Sequence, residues 1–209
     1  MSVTSLASVR RPMRTPNIAR GFTLVEVLVT VVLLAIAATL VIPSMGSTDI
    51  LRVQSAVRQT VADITFAQTD AMAFQQRRAI WFNRVPVDPT ESPWTFAVGN
   101  GYTIAEVSGP VLDLSTASLY HPDEPDQPFH RDFDQGDFGS ASFTDADFDD
   151  DELLIFDELG GPVRTLTGEE TSNGGVVRIV GGSEGQWAYD IGVAPMTGRV
   201  TVTRLELPE

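Results

Sequence analysis

One carboxylate, Glu26, stands inside the run FTLVEVLVTVVLLAIAATLVI at residues 22–42. A charged acid inside a bilayer costs about 2.5–3.5 kcal/mol and is as a rule paired or functional. If the chain were cut after Gly21, a new α-amino group on Phe22 would lie about one helical turn from Glu26. Amine and carboxylate would then neutralise each other, within one subunit or between neighbours. A contact between neighbours would fix their axial register. The alternative is that Glu26 snorkels to the near interface.

A second constellation is acidic. Between Asp123 and Glu158 there are 14 acids and one arginine. Its densest part alternates Asp145, Asp147, Asp149 and Asp151. Such spacing on a loop gathers the hard oxygens that calcium takes. The stretch departs from an EF-hand loop, with no glycine at the sixth place and Phe156 where the twelfth-place glutamate would stand. The plainer reading is a solvated, mutually repelling surface insertion. Phe129, Phe133, Phe138, Phe143 and Phe148 run through it, so part of it should dock on the head or on a partner.

Two weaker signals follow. Gly181-Gly182-Ser183-Glu184-Gly185 fits the letters of a nucleophile elbow, which needs a strand before it and a helix after it. Gln186–Ile191 reads as strand, so a flexible hairpin turn is favoured. His121 and His130 are separated by Pro122, Pro125 and Pro128, which denies them helical ligand spacing, and both are expected at the surface. No phosphate-cradling loop, zinc signature or acid–base pair stands out. No catalytic residue and no resident cofactor beyond calcium at the four aspartates is therefore expected, and the chain does not read as an enzyme.

The elements that position these residues follow from composition and period. The chain has 209 residues, 43% hydrophobic and 20% charged, which suits a globular protein. It has no Cys, excluding a disulfide scaffold and a thiolate site. All 14 basic residues are Arg, and the net charge is −14. Residues 1–21 carry +4 and residues 22–209 carry −18. A chain so acidic is a poor sequence-independent nucleic-acid binder, and no nucleic-acid partner is expected.

The run at 22–42 would span roughly 31 Å as a helix, about a bilayer's hydrocarbon core. It is apolar on every face. The four arginines before it predict an N-terminus left in the cytoplasm and a C-terminus translocated. A cleaved secretory signal would be shorter, with its small residue after the apolar core. Here Gly21 comes before it. Pro43 then predicts a kink. Ile50, Val53, Val57, Val61, Ile64, Ala67, Ala71 and Phe74 form one apolar stripe, with Arg52, Arg58, Asp63, Asp70 and Arg77 off it. This predicts a helix over about 48–78 laid on a sheet. Strands are expected at Ala79–Asn83, Trp94–Val98, Tyr102–Val107, Leu153–Phe156, Val163–Leu166, Val176–Val180, Gln186–Ile191 and Gly198–Leu205. Asn100-Gly101 reads as a hairpin turn. The fold class is α+β: a long N-terminal membrane helix, then an amphipathic helix packed on an antiparallel β-sheet head.

Gly21-Phe22-Thr23-Leu24-Val25-Glu26 resembles the prepilin cleavage and N-methylation motif of type IV pilins and type II secretion pseudopilins. The resemblance implies cleavage between Gly21 and Phe22 by a prepilin peptidase, methylation of the Phe22 amine, and an assembly role for Glu26. It implies a 1–21 leader, a 22–42 transmembrane and assembly helix, and a 43–209 extracytoplasmic pilin-like head with an acidic insertion at about 108–152. Pro43 falls where many family members have a helix-kinking proline. Gln54–Asn83 and Ile191–Val202 are similar to the opening and closing segments of H-type minor pseudopilins. Missing Cys removes the disulfide-closed loop common in major pilins.

The function so implied is that of a minor pseudopilin of a type II secretion system. It would sit in the inner membrane as a single pass, with a cytoplasmic N-terminus and a periplasmic head. Its partners would be other pseudopilins or pilins and a secreted cargo. The alternatives are a minor type IV pilin for adhesion, motility or DNA uptake, and a membrane-anchored calcium or ligand-binding protein that never polymerises. For DNA uptake, Arg199 and Arg204 are the small basic exception.

Overall fold

A computed structural model of the chain describes residues 23–41, 46–139, 141–181 and 186–205. It forms two compact units, Met1–Pro43 and Ser44–Glu209. In the first, α1 covers Leu24–Val41. Its side chains from Leu24 to Ile36 are all exposed, and all but Glu26 and Thr30 are apolar.

The second unit begins with α2, Gly46–Phe74, a little earlier at both ends than its period predicts. Two antiparallel sheets follow. The five-stranded sheet has the order β3-β2-β1-β5-β6, with β1 Arg78–Pro86, β2 Phe96–Glu106, β3 His130–Asp132, β5 Leu153–Phe156 and β6 Pro162–Val163. The four-stranded sheet has the order β4-β7-β8-β9, with β4 Ala141–Phe148, β7 Gly175–Gly181, β8 Trp187–Val193 and β9 Val200–Leu205. A short helix, α3, covers Leu114–Ala117.

The stripe of α2 makes the core. Val53, Val57, Ile64, Ala67 and Ala71 are buried with Ile80 and Phe82 of the first sheet and Val177, Ile179 and Ile191 of the second. Phe74 does not belong to this core. It is 65% exposed, with the Arg78 guanidinium 5.7 Å from its ring centre. Aromatic rings join the two sheets: Phe82 stacks on Phe148 at 5.5 Å, and Phe133 on Phe143 at 4.7 Å. Each such pair adds about 0.5–1.5 kcal/mol beyond its buried area.

Three expectations need correction. Asn100-Gly101 is no turn; it lies within the continuous strand β2. The Asn100 amide donates to Asp134 Oδ1 and the Ala141 carbonyl, and its oxygen accepts from the Phe143 amide. Gly101 is glycine because a Cβ there would lie 1.9 Å from the Arg131 carbonyl oxygen. Asn-Gly thus serves sheet-to-strand contact instead of reversal. The segment at 108–152 is not a solvated insertion either. It supplies α3, β3 and β4, and β4 pairs with β7 along its whole length. Its alternation of Phe and Asp is the period of a half-buried strand.

The third correction concerns Asp63 and His121. Asp63 is not on the solvent face of α2; it is 4% exposed. Its Oδ2 accepts from the Tyr102 hydroxyl at 2.7 Å and Arg131 Nε at 2.8 Å, and its Oδ1 from Gln59 Nε2 at 2.9 Å. Burial, then the Asp63 charge, holds the Tyr102 hydroxyl well above the usual phenol range. Burial opposes the charge on Arg131, but hydrogen bonding to Asp63 outweighs it and raises its pKa. His121 is buried as well, edge-on to Phe129 at 5.2 Å. Its Nε2 faces Arg131 Nη1 at 2.9 Å, and its Nδ1 faces the Asp123 amide at 3.2 Å. Both neighbours are donors. A neutral ring accepts at one nitrogen, and a protonated ring at neither. Burial, then the Arg131 charge, lowers its pKa.

Two outcomes follow for the head. Asp63→Ala strands the Arg131 charge and should lower unfolding free energy by about 3–5 kcal/mol in denaturant titration, against about 1.5–3 for Tyr102→Phe. The contribution of His121 is complete above its unfolded pKa of about 6.5 and is lost as pH falls through its lowered folded value. Melting temperature should therefore drop on acidification from pH 7 to 5, and a His121→Gln variant should show a shallower drop.

Candidate functional site

At the start of α1 the local sequence is Thr-Leu-Val-Glu, a side-chain oxygen followed three residues later by an acid. Thr23 takes the cap position. Its Oγ1 accepts from the Glu26 amide at 3.2 Å, and its carbonyl accepts from the Val27 amide at 3.2 Å. This is one half of a capping box. It holds Glu26 in the first turn, where the helix dipole favours a negative charge by about 0.3–1 kcal/mol. Thr23 was quoted above only as part of a motif. The spacing T-x-x-E is the signal that assigns it a role. Glu26 is exposed on a helix with apolar residues on every side. Gly21, Phe22 and Pro43 lie outside the described residues.

Among the described residues no helix is long and apolar enough to cross a membrane. The described α1 has 18 residues of the 21-residue run, about 27 Å of helix rise. Phe22 and Ile42, at the ends of that run, are outside the described residues.

The four aspartates are spread over different partners. Asp149 Oδ1 accepts from the Asn173 amide and side chain, and Arg164 Nε lies 3.4 Å away. Burial opposes its charge, but bonds from Ser172 and Asn173 prevail and lower its pKa. Asp147 Oδ1 accepts from the Asp150 amide, and Asp151 Oδ1 from the Glu152 amide. Asp147 and Asp149 share a hollow with Arg164, while Asp145, Asp147 and Asp151 line a second with Glu152. Among the described residues no three acids, histidines or cysteines form a group able to hold a metal. The calcium expectation thus gains no support: Asp147, Asp149 and Asp151 are spent on backbone amides, Asn173 and Arg164.

The glycine-rich stretch after β7 is followed by β8, a strand, in antiparallel register with it from Gly181↔Trp187 onward. The helix that a nucleophile elbow requires is replaced by that strand, though residues 182–185 themselves lie outside the described set. His130 is half-buried, with Nδ1 2.8 Å from the Pro128 carbonyl. Arg204 lies over the Trp187 ring at 4.6 Å, and Arg199 is exposed in the turn between β8 and β9. That turn joins β8 and β9, the last two described strands, into an antiparallel hairpin.

No curated protein and no solved structure matches the chain. Residues 17–42 match the family model of the prokaryotic N-terminal methylation motif. The matched span holds Gly21, Phe22, the capping Thr23 and Glu26, and it runs to the end of the apolar segment. The match is to a prepilin-type motif, the kind found at the start of type IV pilin-like proteins, and in this chain it stands ahead of an α+β unit with antiparallel sheets.

Proposed function

We propose that the chain is a minor pseudopilin, H-type, of a type II secretion system. The observation that carries this reading is the methylation motif set at the capped start of an exposed apolar helix. The chain inserts with its N-terminus in the cytoplasm and its head in the periplasm. A prepilin peptidase cuts between Gly21 and Phe22 and the new amine is methylated. The apolar rod then packs among the rods of other subunits. There the Glu26 carboxylate, costly in lipid, is neutralised by the Phe22 amine of a neighbour, and the pairing sets the rise between subunits. The subunit catalyses no reaction; a separate motor drives assembly.

The H-type assignment rests on the helix-then-strand opening at Gln54–Asn83 and the closing hairpin, while the lack of Cys favours a pseudopilin over a major pilin. The acidic head supports a protein-moving role over a DNA-binding one, which needs a basic stripe.

Peptide mass analysis of the membrane-extracted protein should find N-methyl-Phe22 at the N-terminus. An intact Met1, or a cut beyond residue 42, overturns the reading. Crosslinking in membranes should give a ladder of heteromers that vanishes in Glu26→Gln. The ladder should survive Thr23→Ala, which loses only a cap worth about 1 kcal/mol. Deleting the gene should stop release of folded proteins into the medium while pilus-driven motility persists; the opposite pattern would make the chain a minor type IV pilin.

A further inference from the structure

The two sheets have four edge strands, and three of them are blunted. β3 has three residues, all polar. β6 has two, the first a proline, and Val163 is bridged by Thr171. β4 has a register shift between Phe143 and Asp145 and turns Asp145 and Asp147 to solvent. Short length, proline, bulges and outward charges are the devices that keep a sheet edge from pairing with another chain.

The fourth edge, β9, lacks proline, bulge and acid. It reads Val-Thr-Val-Thr-Arg-Leu over Val200–Leu205, in unbroken register with β8. Its first four residues are β-branched, the types that suit a pleated strand. Thr201, Val202, Thr203 and Arg204 are exposed, and among the described residues the β9 backbone pairs only with β8.

A hollow and two cations lie beside that open edge. Val202 stands opposite Ile191 and Arg204 opposite Tyr189, so Val200, Val202 and Arg204 share the face that packs on α2. α2 leaves part of this face open. A hollow of about 410 Å³ is lined there by Gln54, Val57, Arg58, Val61, Tyr189 and Val202. Among the described residues neither Arg58 nor Arg204 forms an ion pair, in a chain with 28 acids for 14 arginines. Arg204 only lies over the Trp187 ring, at 4.6 Å.

We propose that β9 receives an extended segment of another protein as a fifth strand of the sheet. The segment's apolar side chains fill the hollow over Val57, Val61 and Val202, and an acid beside them meets Arg58 and Arg204. The open backbone edge supplies hydrogen bonds, while the hollow and the arginines select the sequence. The other face of the segment is polar, extending the row of Arg178, Asp190 and Thr203. A second copy of this chain fits poorly. β9 against β9 crowds the arginines together. β4 holds Asp145 in the row of Arg178 and Thr203, on the face away from Arg58 and Arg204. Nucleic acid has no peptide backbone to complete the edge. The surface does not rest on the pilin reading.

The test uses the full chain in detergent micelles and a blocked Ser-Glu-Thr-Val-Thr-Val-Thr-Glu-Ser peptide. Binding is read by peptide anisotropy, and amide hydrogen exchange is followed by mass spectrometry. The peptide should bind and slow exchange over residues 200–205, leaving β4 unchanged. N-methylation of its central residues should abolish binding. Arg58→Glu should weaken binding about tenfold, as an exposed pair is replaced by a repulsion. The same variant should prefer a peptide with Lys in place of Glu. Val202→Lys, which plants a charge on the edge, should remove binding with melting unchanged. The proposal is overturned if the peptide does not bind, or binds without slowing exchange in β9. It also falls if the N-methylated peptide binds equally, or if Arg58→Glu does not reverse the charge preference. Displacement of the peptide by a thymine-only DNA 12-mer would assign the surface to nucleic acid instead. Protection of β9 that grows with protein concentration in the absence of peptide would assign it to a second copy.

Discussion

A carboxylate can be buried on a helix only if its partners are fixed, and Asp63 fixes three. Its contacts reach Gln59 on its own helix, Tyr102 on β2 and Arg131 on β3. Most of the rest of α2's buried face is Val, Ile and Ala, which could slide along the sheets at little cost, since dispersion contacts are short-ranged and non-directional. Gln68, bonded to the Gly160 and Thr197 carbonyls, and Asp70, paired with Arg78, add further directional ties. The charged bond at Asp63 is directional, and it pins the helix in register. Arg131 carries the same constraint outward to His121 and so to the proline-rich segment between α3 and β3. One buried acid therefore sets the position of the helix, an edge strand and a loop. Replacing the whole group by apolar residues would cost little stability, but it would remove that registry.

The N-terminal unit obeys a different constraint. Its apolar side chains are exposed along the described helix, with Glu26 in the first turn. Exposed apolar surface of this extent requires a cover, which is lipid or other helices. Both covers are apolar, so neither can satisfy the carboxylate. A positive group from a chain terminus or a neighbour would do so, and the proposed cut after Gly21 would supply one. The Thr23 hydroxyl meanwhile satisfies one of the four amides that a helix start leaves unpaired. Under the proposed function the motif reads as three physical requirements in six residues: a glycine to be cleaved after, a capping hydroxyl and a charge awaiting its partner.

Period was the most legible property of the sequence. The α2 stripe and the strands at β5, β7, β8 and β9 followed from it within a few residues. What failed was local chemistry with two meanings. Asn-Gly favours a turn through backbone freedom, yet the same freedom lets Gly101 pass against the Arg131 carbonyl, and only tertiary contacts decide. Asp63 and His121 look solvent-facing by type; their burial depends on Arg131, which is 68 residues from one and 10 from the other. The Phe and Asp alternation at 143–149 was visible, but charge density drew attention to the acids instead of the two-residue period. Thr23 and the open edge at β9 gave weaker signals: a spacing for the first, none for the second, since which strand ends a sheet is a property of the fold alone.

The similarity to known proteins stops at residue 42, and physics gives the reason. Within the matched span Thr23 and Glu26 answer to specific demands, the cap of α1 and a charge set in its first turn. The head answers to looser demands: an apolar stripe every three or four residues on one helix, alternation on the strands, and partners for a few buried polar groups. Many sequences meet them, because cores tolerate wide hydrophobic exchange when volume and pattern are kept. The head's distinguishing features then lie where ordinary packing leaves something unsatisfied.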